Sequence, residues 1–389
     1  MKATTIMAAS LALAAASTLA TPSASLAKTF VYVSNAEDGT IDAYVLDLKS
    51  GTLTAVGTAQ AAKLVMPMTI APNKKFLYAV VRSQPARVLT YTIDAKSGAL
   101  AQKASAALPD SMPYVSTDRT GRFLFTASYG GDKVAVSPIG ANGLVTAEAV
   151  QVLPTGRNAH SILAERTNRF VYSANLGANQ VLQFSFDARS GKLTPLDPPA
   201  VKPERGHGPR HLAVSRDNRF LYVLNELSGH VTQYAIDPDK GTLKLLDSVP
   251  SVPPELGMKW GQPQGAVGAA SAGPASAAPK PEDKPPIWAA DLRFTPNGKF
   301  LYTTERNTDK IALFTVALDS GKLIYVTNFA TERQPRGINI DPSGQYLIAS
   351  GEKSEQLSVY RIDTASGKLG EPKRFPVGKG ANWVEIVTR

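Results

Sequence analysis

The chain has 389 residues, 43% of them apolar and 19% charged, and no cysteine. The apolar share excludes general disorder, and the absence of thiols excludes a disulfide framework, a cysteine-based zinc or iron–sulfur site and a thiol nucleophile. A net charge of +10 suits nucleic acid or anionic substrates; because no Lys/Arg run exceeds two residues, it reads as an evenly solvated basic surface with no nucleic-acid partner.

In chain order, residues 1–27 read as an export signal. Lys2 supplies a positive start, Ile6 to Leu19 an apolar stretch, and Ser25, Leu26 and Ala27 the small-residue pattern of a cleavage site. The apolar run is short for a membrane span. The expectation is a periplasmic or secreted, monomeric protein with no membrane partner after cleavage, its remaining residues 28–389 forming one domain.

Those residues repeat. An aromatic–aliphatic–aromatic triplet begins at Phe30, Phe76, Phe123, Phe170, Phe220, Phe300 and, degenerately, Tyr346, in steps of 46, 47, 47, 50, 80 and 46. A second marker, usually Asp-x-x-Ser-Gly-x-Leu, places glycines at 51, 98, 143, 191, 241, 321 and 367 and keeps register with the first. Units of about 47 residues built from short alternating runs predict four-stranded blades. The second marker is then a hairpin turn whose glycine takes positive φ. Asp237 and Asp239 faintly suggest a calcium loop, but the EF-hand spacing fails, and the turn reading stands.

The run Asn382 to Val387 matches a first strand and Phe30 to Ser34 a second, so the C-terminal strand is expected to join the N-terminal ones and close the ring. The fold expected is all-β, a seven-bladed propeller, closure removing its exposed edges. The single step of 80 comes from residues 251–287, rich in Pro, Ala, Gly and Ser. This composition predicts a loop insertion rather than a blade. Blade topology puts it over the face where first strands begin, where it is either a lid or a passive insertion.

First strands line the central channel, and the start of each meets the end of the second strand on that same face. Alignment of the repeats gives Met68, Tyr114, His160, Arg210, Asp291, Arg336 and Trp383 as the starts. The ends are Arg82, Tyr129, Leu176, Glu226, Arg306, Glu352 and Ala36. Seven of these fourteen positions are charged, far above the 19% of the whole chain. Three blades are expected to pair opposite charges: Arg210 with Glu226, Asp291 with Arg306, and Arg336 with Glu352. Cross-strand ion pairing accounts for each alone; His160, Arg210, Glu226 and Arg306, on consecutive blades, together suggest one pocket. His207 and His211 are four apart, but Pro209 between them argues against a helix presenting both to a metal. No His-Glu-x-x-His, Gly-x-Ser-x-Gly or Walker-type loop occurs.

The segments Asn158 to Ser161, Gly208 to His211, Asn225 to Leu227, Trp288 to Asp291 and Gln334 to Gly337 occur in order, each on its own blade. Together they resemble the seven-bladed propeller lactonase family, which includes bacterial 6-phosphogluconolactonases and fungal carboxymuconate-lactonizing enzymes. The resemblance covers residues 29–389. It implies a site without metal or cofactor whose catalytic group is His160, Arg210, Glu226 and Arg306, acting on a small-molecule lactone.

Lactone hydrolysis needs an activated water, a stabilised oxyanion and a protonated leaving oxygen. Glu226 beside Arg210 should stay ionised and suits the base; His160, with an intrinsic pKa near neutrality, suits the proton donor. The sequence leaves open which of the two is base and which acid. Arg210 and Arg306 suit the oxyanion. Arg82 has no acid at its blade's partner position and suits a substrate carboxylate or phosphate, and Tyr129, Asp291, Arg336 and Glu352 complete the expected substrate-binding wall. A muconate-type cycloisomerase and a non-catalytic binding propeller are the alternatives. Acid release from a panel of lactones separates hydrolysis from both.

Overall fold

The two sequence markers keep register because they touch. In the computed structural model, which describes residues 1, 27–265 and 284–389, the first aromatic of every triplet packs on the turn glycine of the next blade. Phe30 lies against Gly98, Phe76 against Gly143, Phe170 against Gly241, Phe300 against Gly367 and Tyr346 against Gly51. Where the third triplet residue is tyrosine, its hydroxyl donates to that glycine's carbonyl: Tyr32 to Gly98 at 2.9 Å, Tyr78 to Gly143 at 2.9 Å and Tyr172 to Gly241 at 2.7 Å. Each repeat thus carries both halves of a staple between neighbouring blades.

A side chain at the glycine would break that staple. Gly143 has φ +79°, and a Cβ built there falls 2.2 Å from the Phe76 ring. Gly143→Ala is expected to lower stability by more than the roughly 1 kcal/mol of ordinary backbone strain at positive φ. Chemical denaturation against the parent protein measures it.

The described strands form seven four-stranded antiparallel sheets arranged as a ring, the seven-bladed β-propeller expected. Six blades are continuous in sequence. The seventh is composite: Ala381–Thr388 pairs with Thr29–Asn35 in the order first strand, second strand, followed by Thr40–Asp47 and Thr52–Gln60. Its register sets Phe30 opposite Val387 and Val33 opposite Val384, so apolar side chains cross the joint. The core lies between adjacent sheets, filled by residues such as Tyr32, Phe125, Val134 and Ile162. Asp237 caps a turn, its Oδ1 accepting from the backbone N–H groups of Asp239 and Lys240 at 2.9 Å each, as the turn reading requires.

The export-signal reading of residues 1–27 falls almost wholly outside the described residues, as does the centre of the 251–287 insertion, residues 266–283. The described flanks of the insertion add no blade strand. They hold one short turn, Pro254–Leu256, and a bridge between Lys259 and Pro286. They are packed: Gly261 N–H donates to Leu227 O at 2.8 Å, and Trp260 meets His207 and His230 edge-on at 5.1 and 6.0 Å.

Candidate active site

Six of the seven first strands begin with an irregular step, and that step builds the mouth. Ala159 pairs with Asn175 and Ser161 with Ala174, leaving His160 as the extra residue of a bulge. Pro209 with Asn225 and His211 with Leu224 do the same for Arg210; Pro335 with Gly351 and Gly337 with Ser350 do it for Arg336. A bulge re-aims its extra side chain. Here it turns His160, Arg210 and Arg336 into one cavity of about 390 Å³ at the channel mouth, within the roughly 300–1,000 Å³ range of small-molecule sites.

The same bulges correct part of the sequence alignment. In the blade carrying Asp291, Ala289 pairs with Glu305 and Leu292 with Thr303, so Ala290 takes the place of His160 and Asp291 falls one residue deeper. Tyr114 and Trp383 are deeper by the same single step, and Met66 replaces Met68. Met68, Tyr114, Asp291 and Trp383 therefore do not line the cavity, whereas Met66 and Pro113 do. Of the second-strand ends, Ala36, Arg82, Tyr129, Glu226, Arg306 and Glu352 line it as expected; Leu176 instead packs with Tyr129 and Leu227.

Two of the three expected ion pairs form. Arg210 Nε donates to Glu226 Oε2 at 2.5 Å, and Arg336 Nη1 to Glu352 Oε1 at 3.1 Å. Asp291 does not meet Arg306. It faces His211 at 2.9 Å and Arg293 at 3.4 Å, while Arg306 Nη2 crosses the blade boundary to Glu226 Oε2 at 3.0 Å. Glu226 is thus shared by two arginines, and its other oxygen accepts from Trp288 Nε1 at 2.8 Å. The Arg306 guanidinium lies 3.7 Å from the Trp288 ring centroid, and its Nε donates to Trp288 O at 3.0 Å. Arg210 and Arg306 are 1% and 2% exposed, so the whole cluster is desolvated. Trp288 and His211 are the residues whose parts the sequence reading missed. A tryptophan immediately before a channel strand, where other blades carry Asn158, Gly208 or Gln334, was the available signal for the first.

These contacts decide the charges. Burial opposes ionisation of Glu226, but Arg306 and then Arg210 outweigh it and hold the carboxyl below its usual range. Burial, then Arg306, brings Arg210 down to about 9, still a cation at neutral pH. His160 is driven well below 6.5, first by burial and then by Arg210, His211, Arg336 and Arg306. It is therefore a neutral imidazole, and its Nδ1 has no hydrogen-bond partner among the described residues. Tyr129 is held protonated, pushed up to about 12 mainly by burial, and donates to Gln264 O of the insertion at 2.9 Å. Gln264 and Gly265 also line the cavity, so the insertion's described edge reaches the mouth, as topology required. Among the described residues, no three or more His, Cys, Asp or Glu side chains group to hold a metal ion.

A closed ring of seven sheets with a buried, mostly cationic cluster at one channel mouth defines a β-propeller with a cavity of small-molecule size at its axis. The chain belongs to the seven-bladed β-propeller lactonase family, whose model matches residues 30–386. It is 38% identical over 365 residues to a 6-phosphogluconolactonase of Serratia proteamaculans, covering 93% of this chain and 100% of that one. It is 36% identical to one of Yersinia pseudotuberculosis, covering 92% and 98%. Among solved structures, a periplasmic gluconolactonase of Pseudomonas aeruginosa superposes with a TM-score of 0.79 at 25% identity, covering 93% of this chain and 99% of that one. A putative 6-phosphogluconolactonase of Bacteroides fragilis gives 0.79 at 22% identity, with 94% and 100% covered.

Proposed function

We propose that this lactonase opens the ring of a sugar lactone, with neutral His160 as the base and the Arg210–Glu226–Arg306 cluster as the oxyanion site. The observation that carries the reading is the pairing of an uncharged, buried imidazole with two desolvated guanidiniums around one cavity, in a chain whose relatives are 6-phosphogluconolactonases. His160 takes a proton from water as the water oxygen attacks the carbonyl carbon, and the C=O electron pair moves onto the oxygen facing Arg210 and Arg306. When the ring C–O bond breaks, the proton on His160 passes to the departing oxygen, leaving the hydroxy acid. A carboxylate already engaged by two arginines and a tryptophan is a poor base. Glu226 instead holds both cations in place, and on this reading the roles that intrinsic pKa values suggest are exchanged. Acid release by the purified protein from gluconolactone and its 6-phosphate, against unrelated lactones, tests the reading; no turnover of any of them sinks it.

Arg82 supports an anionic substituent on the substrate. It is 4% exposed and lines the cavity; among the described residues it has no acidic ion-pair partner, and its side chain bonds to Ser111 Oγ at 3.2 Å and Met66 Sδ at 3.4 Å. It stands three blades from Glu226, on the opposite wall of the mouth. A lactone whose carbonyl sits between Arg210 and Arg306 would present a distant phosphate or carboxylate there. Arg82→Met is expected to raise KM at least tenfold for 6-phosphogluconolactone and to leave gluconolactone kinetics within twofold, since a charge-assisted contact contributes about 1.5–3 kcal/mol. Equal effects on both substrates would remove Arg82 from that role.

We place this activity outside the cytoplasm, on the export pattern of Lys2, the apolar run to Leu19 and the small residues Ser25 and Ala27. An exported enzyme would meet unphosphorylated aldonolactones more readily than a sugar phosphate. Fractionation of cells carrying the full chain, compared with one lacking residues 2–27, tests the location.

A further inference from the structure

One residue below the mouth, the bulges of adjacent blades bring His211 and Asp291 together, outside the cavity. Arg210 Nη1 has two protons. One goes to the carbonyl of Ala290 and the other to His211 Nε2 at 3.0 Å. A guanidinium only donates, so the nitrogen facing it must carry the lone pair. The His211 proton is then on Nδ1, 2.9 Å from Asp291 Oδ1.

Asp291 is itself fully engaged. Its Oδ1 also accepts from Leu292 N–H at 3.0 Å, and its Oδ2 accepts from Ile338 N–H at 3.2 Å and faces Arg293 Nη2 at 3.4 Å. The remaining sides of the His211 ring meet Tyr114, His160 and Trp383 edge-on at 5.2, 5.3 and 5.8 Å. Neither the imidazole nor the carboxylate has room to take another partner.

We propose that Asp291 and His211 are positioning residues for Arg210: Asp291 selects the Nδ1–H tautomer of His211, whose free Nε2 then fixes the edge that Arg210 presents to Glu226 and to the substrate oxyanion. The proposal rests on the reading that Arg210 stabilises that oxyanion. Burial first, and then Arg210, depresses His211 to about 3, so the imidazole stays a neutral acceptor throughout the working range.

The test joins spectroscopy of the wild-type protein to kinetics of two variants. Nitrogen-15 shifts of the His211 imidazole are expected to show a neutral ring protonated at Nδ1. His211→Phe keeps the aromatic packing and loses the acceptor; it is expected to lower kcat about 10–100-fold, the usual cost of removing such a support, with KM within twofold. His211→Gln restores an acceptor oxygen and is expected to recover most of that loss. An Nε2–H tautomer or a charged ring would overturn the proposal, whichever way the variants behave. So would His211→Phe turning over at the wild-type rate, or the two variants being equally impaired with KM and melting temperature moving together, as for a merely structural residue. A wild-type protein without lactone turnover would defeat the functional reading while leaving the tautomer measurement to decide the Asp291–His211 geometry separately.

Discussion

Replacing His160 with alanine is expected to reduce kcat on the best sugar lactone about 10²- to 10⁴-fold, the scale of losing a general base, while the protein stays folded. Among the described residues the ring Nδ1 has no hydrogen-bond partner, so truncation orphans none of them there. The pH dependence carries the sign of the role. A base must be unprotonated, and burial with four neighbouring cationic or imidazole groups sets the His160 pKa well below 6.5. Wild-type kcat/KM should therefore be level through neutral pH and fall only on acidification, with a midpoint well under 6.5. A rate that falls as pH rises through 6.5 would make His160 the acid, as its intrinsic pKa alone suggests. Near-normal turnover of His160→Ala would move the chemistry elsewhere in the mouth.

The second large effect is expected from Glu226→Gln, in both activity and stability. The strand-end position of Glu226 alone suggests that the fold tolerates its loss. In the structure the carboxylate neutralises Arg210 and Arg306, each almost fully buried, so removing its charge leaves two uncompensated cations in a desolvated cluster. Breaking a buried pair in this way costs about 3–5 kcal/mol; glutamine keeps hydrogen-bonding capacity and should fall near the lower figure. Turnover should drop at least a hundredfold, because the arginines lose the anchor that aims them. Glu352→Gln is the control. Its pair with Arg336 is more open, the side chains 21% and 13% exposed, and the change should cost less stability than Glu226→Gln does. The linkage has a definite sign. The folded-state carboxyl of Glu226 is depressed, so its stabilisation is present above the unfolded carboxylate pKa and is lost as pH falls through the folded value. The wild type should lose stability on acidification more steeply than Glu226→Gln. Parallel curves for the two proteins would show that the cluster contributes little.

Much of this was legible without coordinates. The interval between Phe76 and Gly143 and its counterparts marks a contact repeated around the ring, because each repeat must present the same aromatic to the same turn of its neighbour. That Val384 pairs with Val33 follows from matching Asn382 to Val387 to a first strand. His160, Arg210, Glu226 and Arg306 converge as their repeat positions require, since residues at equivalent places in successive blades meet at the axis.

By itself, then, the sequence determined the number of blades, the way the ring closes and that His160, Arg210, Glu226 and Arg306 meet at the mouth. These properties are periodic, and a period survives small errors of alignment. The tertiary structure alone decided which side of a strand each residue serves. Side chains alternate with a period of two, so a single bulged residue exchanges inward for outward; that is why Asp291 lies beneath the site with His211 rather than opposite Arg306. It also decided that Glu226 answers to two arginines, one of them 80 residues away on the next blade, and that His160 is neutral. Burial and the charges of neighbouring blades set both, and neither quantity is local to any stretch of chain.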